Sequence, residues 1–166
     1  VEAARIAGAR VLVMDSNAAR LDLVRNRFGV KDVILSRGDD KDVEALDRLT
    51  GGHLAHCVVE ATGNGRTMGL ASRLVGFAGR LVLMGFTGAD IGFGHTLLHR
   101  RELSVMASRN ALPEDFGRVL GWLETGLIDT RAWLTHSAGF DEMIGVFAKW
   151  LNPDTGVVKA VVRVDG

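Results

Sequence analysis

One acidic residue stands where a protein could recognise a ribose. Asp15 ends the apolar stretch ARVLVMD (9–15), and Ser16 behind it is a good N-cap for a helix. In a dinucleotide-binding βαβ unit, a carboxylate at the end of the second strand accepts hydrogen bonds from the adenosine ribose hydroxyls. Because a carboxylate repels a 2′-phosphate, this position favours NAD over NADP. Arg20, one helical turn further on, could cover the adenine or lie beside the ribose.

The phosphate-binding loop that should accompany this carboxylate does not precede it. The first glycine of such a loop lies about 20 residues before the acid, which is roughly five positions before Val1. The segment VEAARIAGA (1–9) then fits the end of a first helix, and we expect the chain to be part of a longer polypeptide. The alternative is that Asp15 is an ordinary solvated strand end. The residue alone leaves both interpretations open.

A second glycine-rich stretch, GNGRTMG (63–69), follows the apolar run HCVVEA and precedes a helical pattern. A phosphate loop here would require an acid about 20 residues later. The following apolar run, RLVLMGF, contains no acid, so we do not expect this stretch to bind the pyrophosphate. It still follows the carboxyl end of a strand, where open α/β sheets bind ligands. We therefore expect Ala61, Thr62 and Gly63 to line a cofactor.

Short apolar runs that recur along the chain predict the fold. They are continuous, which is typical of strands buried on both faces of a parallel sheet, and helical patterns lie between them. The runs are RVLVMD (10–15), DVIL (32–35), HCVVEA (56–61), RLVLMGF (80–86) and LSVMAS (103–108). This alternation predicts an α/β fold with a doubly wound, mostly parallel, Rossmann-like sheet. The helical patterns lie after Ser16 up to Gly29, from 42 to 50 and from 67 to 75.

The pattern changes after residue 108. Pro113, followed by two acids, predicts a helix that ends near Thr125, and a second helix is expected over about 141–151. VVKAVVRV (157–164) is then a final strand. We expect residues 1–109 to form a dinucleotide-binding domain that lacks its first strand and glycine loop. Residues 110–166 would be a C-terminal segment of a second domain.

The composition argues against several function classes. The chain has 20 basic and 20 acidic residues, so no net charge attracts it to nucleic acid or to an anionic membrane. No apolar run approaches the roughly 18 residues of a membrane span, and the cytoplasm is the expected location. His53, His56 and Cys57 do not form a convincing zinc site, because zinc requires three or four convergent ligands. Cys57 is expected to be buried as a small hydrophobe.

Several stretches together resemble the medium-chain, zinc-type alcohol dehydrogenase family. They are GARVLVMDSNAARLDLVRNRFGVKDVI, VVEATGN, GRLVLMGF, RRELSVMASRN and GLIDTRAWLTHSAGFDEMIGVFAKW. They cover nearly the whole chain, from midway through the family's cofactor domain to its C-terminus. The sequence is most similar to the polyol, threonine and sugar-acid (hexonate) dehydrogenase branch.

The resemblance implies roles for particular residues. Asp15 and Arg20 match the family's ribose-side and adenine-side residues. The stretch that passes the nicotinamide is matched by Gly85, Phe86 and Thr87. Lys159 falls where the family often has a basic residue near the pyrophosphate. The strand 102–108 matches the edge through which many members join cofactor domains, so a homo-oligomer is expected.

The resemblance also implies a reaction. The intact protein would transfer a hydride between NAD and a secondary alcohol on a polyol, a sugar acid or a hydroxy amino acid. The family's zinc acts as a Lewis acid on the substrate oxygen, but its ligands belong to an N-terminal half that this sequence does not contain. We therefore expect no catalytic residue and no metal ligand in this chain, and no activity from the chain alone.

Two other function classes stay open at this point. A non-catalytic NAD-sensing domain would share the ribose-binding acid without needing zinc. An S-adenosylmethionine-dependent methyltransferase also has an acid after its second strand. A methyltransferase usually ends its sheet with an antiparallel hairpin, however, whereas VVKAVVRV follows a helix and a turn.

Overall fold

The computed structural model describes residues 1–164 and divides them into two compact units. The larger unit contains Leu12–Leu21 and Val30–Ala111. The smaller unit contains Val1–Val11, Asp22–Gly29 and the segment from Leu112 onward.

The chain alternates helices with short strands. The helices are α1 (Glu2–Ile6), α2 (Ala18–Phe28), α3 (Asp40–Thr50), α4 (Gly65–Ala71), α5 (His95–Arg101), α6 (Pro113–Glu124) and α7 (Met143–Trp150). The strands are β1 (Leu12–Asp15), β2 (Asp32–Leu35), β3 (Ala55–Glu60), β4 (Val75–Leu83), β5 (Ser104–Ala107), β6 (Leu134–Gly139) and β7 (Lys159–Arg163). All the paired strands among residues 1–164 are parallel, which confirms the predicted α/β class. None of the helices in this range is long and apolar enough to cross a membrane.

The strands of the larger unit form two separate parallel sheets. One contains β1 and β2, and the other contains β3, β4 and β5 with β4 in the middle. In the strand order 3-2-1-4-5-6 of a doubly wound domain, the first strand lies between these two groups. The described residues contain no strand before β1, so β1 and β3 each have one edge without a strand partner in this part of the chain.

Local side-chain caps set the helix ends. Asn17 caps α2, because its side-chain oxygen accepts from the backbone N–H of Ala19 at 2.9 Å. The expectation that Ser16 is this cap is therefore wrong. Asp39 caps α3 in the same way through Lys41 N–H, at 2.9 Å. Gly29 follows α2 with φ of 61°, as expected for a residue that ends a helix.

The core of the larger unit lies around β4. Ala71, Val75 and Leu81 form a buried cluster, with Val58 and Leu103 packed against it. Full burial of a valine or leucine side chain such as those of Val75 and Leu81 contributes about 1.5–3 kcal/mol. The helical pattern predicted over 67–75 is shorter than expected, since α4 ends at Ala71 and a 3-10 turn leads into β4 at Val75. The strand predicted over 80–86 accordingly begins earlier and ends at Leu83.

The strands are less buried than the continuous apolar runs predict. Cys57 is exposed, and Val59, two residues further along the same face of β3, is 54% exposed. The prediction of a buried Cys57 is wrong, because no described element covers this face of an edge strand. β5, the opposite edge of the sheet, is exposed along its length.

The smaller unit is held together by tryptophan contacts. Trp133 stacks on Phe28 with ring centroids 4.2 Å apart, and its indole N–H donates to the Glu2 carboxylate. Trp150 packs edge-on against His136 at 6.5 Å. Trp133, Trp150 and His136 therefore pack within the smaller unit. The predicted final strand is present as β7 and pairs in parallel with β6, so it does not form the hairpin of a methyltransferase.

A looped-out segment sets the register between β3 and β4. Ala55 pairs with Val75, but Cys57 pairs with Arg80, so the residues 76–79 bulge out of β4. Ala78 in this bulge has a left-handed backbone, with φ of 52°. Beyond the bulge the register is regular, and Glu60 pairs with Leu83. The bulge therefore brings the carboxyl ends of β3 and β4 level.

Neighbouring substitutions in this bulge should have opposite consequences. A Cβ on Gly79 would lie 2.6 Å from Val75 Cγ1 and 2.8 Å from the Gly76 carbonyl oxygen. We expect Gly79→Ala to lower the free energy of unfolding by about 2 kcal/mol. Ala78→Gly relieves a left-handed conformation that costs roughly 1 kcal/mol, which offsets the greater flexibility of glycine in the unfolded chain. Urea unfolding followed by circular dichroism should show Ala78→Gly at least as stable as wild type. A Gly79→Ala variant of unchanged stability would contradict this account of the bulge.

Candidate functional site

The candidate site lies at the carboxyl edges of the two sheets in the larger unit. β1 ends at Asp15, paired with Leu35 of β2. β3 ends at Glu60, paired with Leu83 of β4. Parallel strands bring their carboxyl ends to one edge, and open α/β sheets bind ligands at that edge. The turn 61–64, which we call the threonine turn, follows β3. The loop 84–87, which we call the Phe86 loop, follows β4.

Asp15 keeps capacity to accept further hydrogen bonds. Its Oδ1 accepts from the backbone N–H of Asn17 at 2.8 Å, the only hydrogen bond to this carboxylate from the described residues. Oδ2 lies 3.8 Å from a guanidinium nitrogen of Arg20, too far for a hydrogen bond. The Asp15 side chain is 28% exposed, so its carboxylate can still bind a ligand hydroxyl. The position predicted to bind the ribose therefore carries a chemically suitable carboxylate.

The structure adds Glu60, which the sequence analysis missed. Glu60 is 6% exposed, and its Oε1 accepts from Thr62 N–H at 3.0 Å and from the Thr62 hydroxyl. The Thr67 hydroxyl lies 3.4 Å from the same oxygen. Oε2 is buried and has no hydrogen-bond partner among the described residues. An acid at the end of an apolar strand, the signal that singled out Asp15, was present here too.

Two glycines bring the threonine turn and the Phe86 loop together. Gly63 has φ of 69°, and a Cβ on it would lie 2.6 Å from the Phe86 carbonyl oxygen. A Cβ on Gly85 would contact Gly63 N and lie 2.9 Å from Glu60 Oε2. The backbone N–H of Gly85 donates to the Glu60 carbonyl oxygen at 2.9 Å. The predicted residues of the two segments are therefore neighbours in space.

The remaining predicted residues differ in their placement. Ala61 is exposed at the start of the threonine turn, and Phe86 is 91% exposed. The Thr87 hydroxyl accepts from Ala89 N–H at 3.2 Å. Lys159 lies in β7, opposite Leu134 in the smaller unit, with an exposed side chain. The structure thus groups Thr62, Gly63, Gly85 and Phe86, while Lys159 belongs to the other unit.

A shallow cavity of about 420 Å³ lies between the N-terminal ends of α3 and α4. Its polar lining includes Asp39, Asp40, Arg66 and Asp90, and neither Asp15 nor Glu60 contributes to it. Hydrogen bonding and the positive charge of Arg73 hold the pKa of the Asp40 carboxyl below its ordinary value of 3.8. The cavity is therefore a charged surface recess, separate from the strand-end residues.

No group of three or more His, Cys, Asp and Glu side chains in residues 1–164 is arranged to hold a metal ion. The zinc centre that the resemblance implies therefore does not fit the described residues. The nucleotide fits better, because Asp15 offers a carboxylate oxygen that accepts no hydrogen bond from the described residues.

Parallel strands with intervening helices define a Rossmann-like α/β fold. A family model described as zinc-binding dehydrogenase matches residues 1–125, and the chain belongs to this family. Family membership excludes the methyltransferase alternative.

Similar proteins share both sequence and fold. L-galactonate-5-dehydrogenase of Escherichia coli (strain K12) is 30% identical over 159 residues, which cover 96% of this chain and 46% of that enzyme. An oxidoreductase of unknown specificity from Escherichia coli has a TM-score of 0.89 at 19% identity, covering 99% of this chain and 47% of that structure. A short chain alcohol dehydrogenase from Escherichia coli CFT073, solved with NADH, has a TM-score of 0.80 at 22% identity, over 93% of this chain and 44% of that one. The chain spans about half the length of the curated relatives it matches.

The contact between the two loops should depend on glycine at position 85. We expect Gly85→Ala to lower the free energy of unfolding by about 3 kcal/mol, because the added methyl group meets Gly63 and Glu60. Gly88→Ala is the matched control, since a Cβ there has nothing within 4 Å. Chemical unfolding of both variants measures the difference. Equal stability of the two would show that the loops do not approach each other closely.

The ion pair between Asp40 and Arg73 predicts a local pH response. Because the folded pKa of Asp40 is lowered, the pair stabilises the fold above about pH 4 and loses this effect as pH falls through the folded pKa. In Arg73→Gln the pKa of Asp40 should rise toward 3.8, as followed by carboxyl carbon NMR. Asp129 is the internal control, because hydrogen bonding to Arg131 lowers its pKa instead. An Asp40 titration that Arg73→Gln leaves unchanged would contradict this assignment.

Proposed function

We propose that this chain is the NAD-binding portion of a zinc-dependent oxidoreductase that transfers a hydride between a secondary alcohol and NAD. The observation that carries this proposal is the Asp15 carboxylate at the end of β1 in a member of the zinc-binding dehydrogenase family. One oxygen of this carboxylate accepts no hydrogen bond from the described residues. The alcohol would belong to a polyol, a sugar acid or a hydroxy amino acid. The similarity to L-galactonate-5-dehydrogenase supports the sugar-acid class.

Asp15 has the central role in cofactor recognition. Its carboxylate would accept hydrogen bonds from the adenosine ribose hydroxyls, with Arg20 beside it on the adenine side. The negative charge would repel the 2′-phosphate of NADP, while the Arg20 guanidinium, 3.8 Å away, would attract it. We propose that the Asp15 carboxylate, and not Arg20, decides the choice between NAD and NADP. The carboxylate lies closer to the strand end and can accept hydrogen bonds from the ribose hydroxyls directly.

The two loops would line the rest of the cofactor. Ala61, Thr62 and Gly63 would contact it from the threonine turn, and Gly85, Phe86 and Thr87 would pass the nicotinamide. Gly63 and Gly85 allow the two loops to contact each other, so that both would lie beside the cofactor. Lys159 would be a basic residue near the pyrophosphate, a role that rests on the family resemblance.

The rest of the enzyme would come from chain that this sequence does not contain. We propose that residues 1–109 belong to a dinucleotide-binding domain and that residues 110–166 return to a catalytic domain. A strand from the remaining chain would pair with the open edges of β1 and β3, and other residues there would hold the zinc. On this account the 166-residue chain alone has no dehydrogenase activity. Strand 102–108 would join two copies in a homo-oligomer, and the cytoplasm stays the predicted location.

Replacing the ribose-binding carboxylate should change cofactor choice. In the protein expressed from its complete natural reading frame, we expect Asp15→Ser to weaken NAD binding at least tenfold, since charge-assisted hydrogen bonds contribute about 1.5–3 kcal/mol. NADP binding should strengthen relative to NAD, because Arg20 remains without the competing carboxylate. Fluorescence titration with both nucleotides measures the two affinities.

Asp22→Ser is the matched control, because Asp22 is an exposed acid that pairs with Arg25 on α2. It should leave the ratio of NAD to NADP affinity unchanged. An Asp15→Ser variant with the wild-type ratio would refute the role of Asp15.

A further inference from the structure

The buried carboxylate of Glu60 is the least expected feature of the larger unit. Glu60 is only 6% exposed. No cationic side chain among the described residues pairs with it. Burying a carboxylate is costly, and an oxygen that is buried without a hydrogen-bond partner adds to this cost. An apolar side chain would fill the end of a strand without this penalty. A residue that breaks a packing rule in this way marks a site with a functional requirement.

All the hydrogen bonds of the Glu60 carboxylate run to one side. Oε1 accepts from the Thr62 N–H and the Thr62 hydroxyl, with the Thr67 hydroxyl 3.4 Å away. The Thr62 hydroxyl in turn accepts from Asn64 N–H at 3.1 Å and lies 2.7 Å from the Thr67 hydroxyl. Thr62 therefore turns its hydroxyl inward toward Glu60. Thr62 can present its methyl group and its backbone to a ligand.

The other carboxylate oxygen faces the Phe86 loop. A Cβ on Gly85 would lie 2.9 Å from Glu60 Oε2, so this oxygen packs directly against the glycine. The Glu60 side chain is thus wedged between the threonine turn, which it holds by hydrogen bonds, and the Phe86 loop, which it supports by contact. A substitution of Glu60 should therefore alter the positions of both loops.

We propose that Glu60 is a positioning residue for the nicotinamide half of the cofactor site. It acts through Thr62 and Gly85 and does not itself touch the cofactor. The inference rests on the proposed NAD-binding function, in which the Phe86 loop passes the nicotinamide and Asp15 holds the adenosine ribose. Glu60 and Asp15 lie at the ends of strands in different sheets. A change at Glu60 therefore weakens binding of the whole dinucleotide while leaving adenosine binding intact.

Comparison of NAD with AMP tests this separation, because AMP carries only the adenosine end. In the protein expressed from its complete natural reading frame, Glu60→Leu should raise the dissociation constant of NAD about tenfold and that of AMP less than twofold. Glu60→Gln, which keeps an acceptor for Thr62, should recover most of the loss. Glu44→Leu is the control, since Glu44 is an exposed glutamate of α3 in the same unit. Isothermal titration calorimetry measures each constant.

A second variant guards against misfolding of Glu60→Leu. Thr62→Val keeps the shape of the side chain but removes the hydroxyl that Glu60 holds. It should weaken NAD binding in the same selective way, and the double variant should be no weaker than the poorer single variant, because both changes break one contact.

Each outcome either supports or overturns the positioning role of Glu60. Selective loss of NAD binding in Glu60→Leu or Thr62→Val, with AMP binding kept, supports the proposal. Equal losses for NAD and AMP, or additive losses in the double variant, overturn it and make Glu60 a general structural residue. Unchanged NAD binding overturns it as well. Failure of the wild-type protein to bind NAD would instead overturn the proposed function, and this inference with it.

Discussion

The threonine turn and the Phe86 loop can meet only because neither Gly63 nor Gly85 carries a Cβ. A methyl group on either glycine would meet backbone atoms of the opposite loop. The buried Glu60 carboxylate fills the space behind this contact and fixes Thr62 through Oε1. The approach also depends on the bulge at 76–79, because that bulge brings the ends of β3 and β4 level. One steric constraint thus connects the register of the sheet to the shape of the candidate site.

The two sheets of the larger unit contribute different parts of the candidate site. The sheet of β1 and β2 presents Asp15, whose Oδ2 accepts no hydrogen bond from the described residues. β3 and β4 present two loops that contact each other at Gly63 and Gly85, with an exposed Phe86. In the proposed enzyme, the first sheet selects the nucleotide and the second orients its reactive half. The cofactor carries the hydride chemistry, and the chain supplies binding and orientation.

Much of the fold could be predicted from the sequence, because hydrophobic periodicity and turn residues are local signals. β2 occupies the predicted residues 32–35, and α6 begins at the predicted Pro113. Errors arose where tertiary context decides the outcome. The capping choice between Ser16 and Asn17 depends on backbone geometry, and the exposure of Cys57 depends on which elements cover β3. The looped-out segment before Arg80 follows from strand register, which local patterns do not encode.

The candidate site was predicted only in part. Spacing and the family resemblance singled out Asp15 and the glycine loops as candidates, because those signals lie within short stretches of sequence. They did not identify Glu60 as the support behind Thr62 and Gly85. Glu60 and Gly85 are far apart in the sequence and come into contact only because β3 and β4 end side by side. A single sequence does not reveal this contact.

The most direct test of the central claim is a crystal structure, with NAD bound, of the protein expressed from its complete natural reading frame. The account predicts that the Asp15 carboxylate accepts hydrogen bonds, about 2.5–3.0 Å long, from the adenosine ribose hydroxyls. It also predicts the nicotinamide beside the Phe86 loop. A structure in which NAD binds elsewhere, or in which Asp15 still bonds only to Asn17 and the ribose lies away from it, would contradict the account.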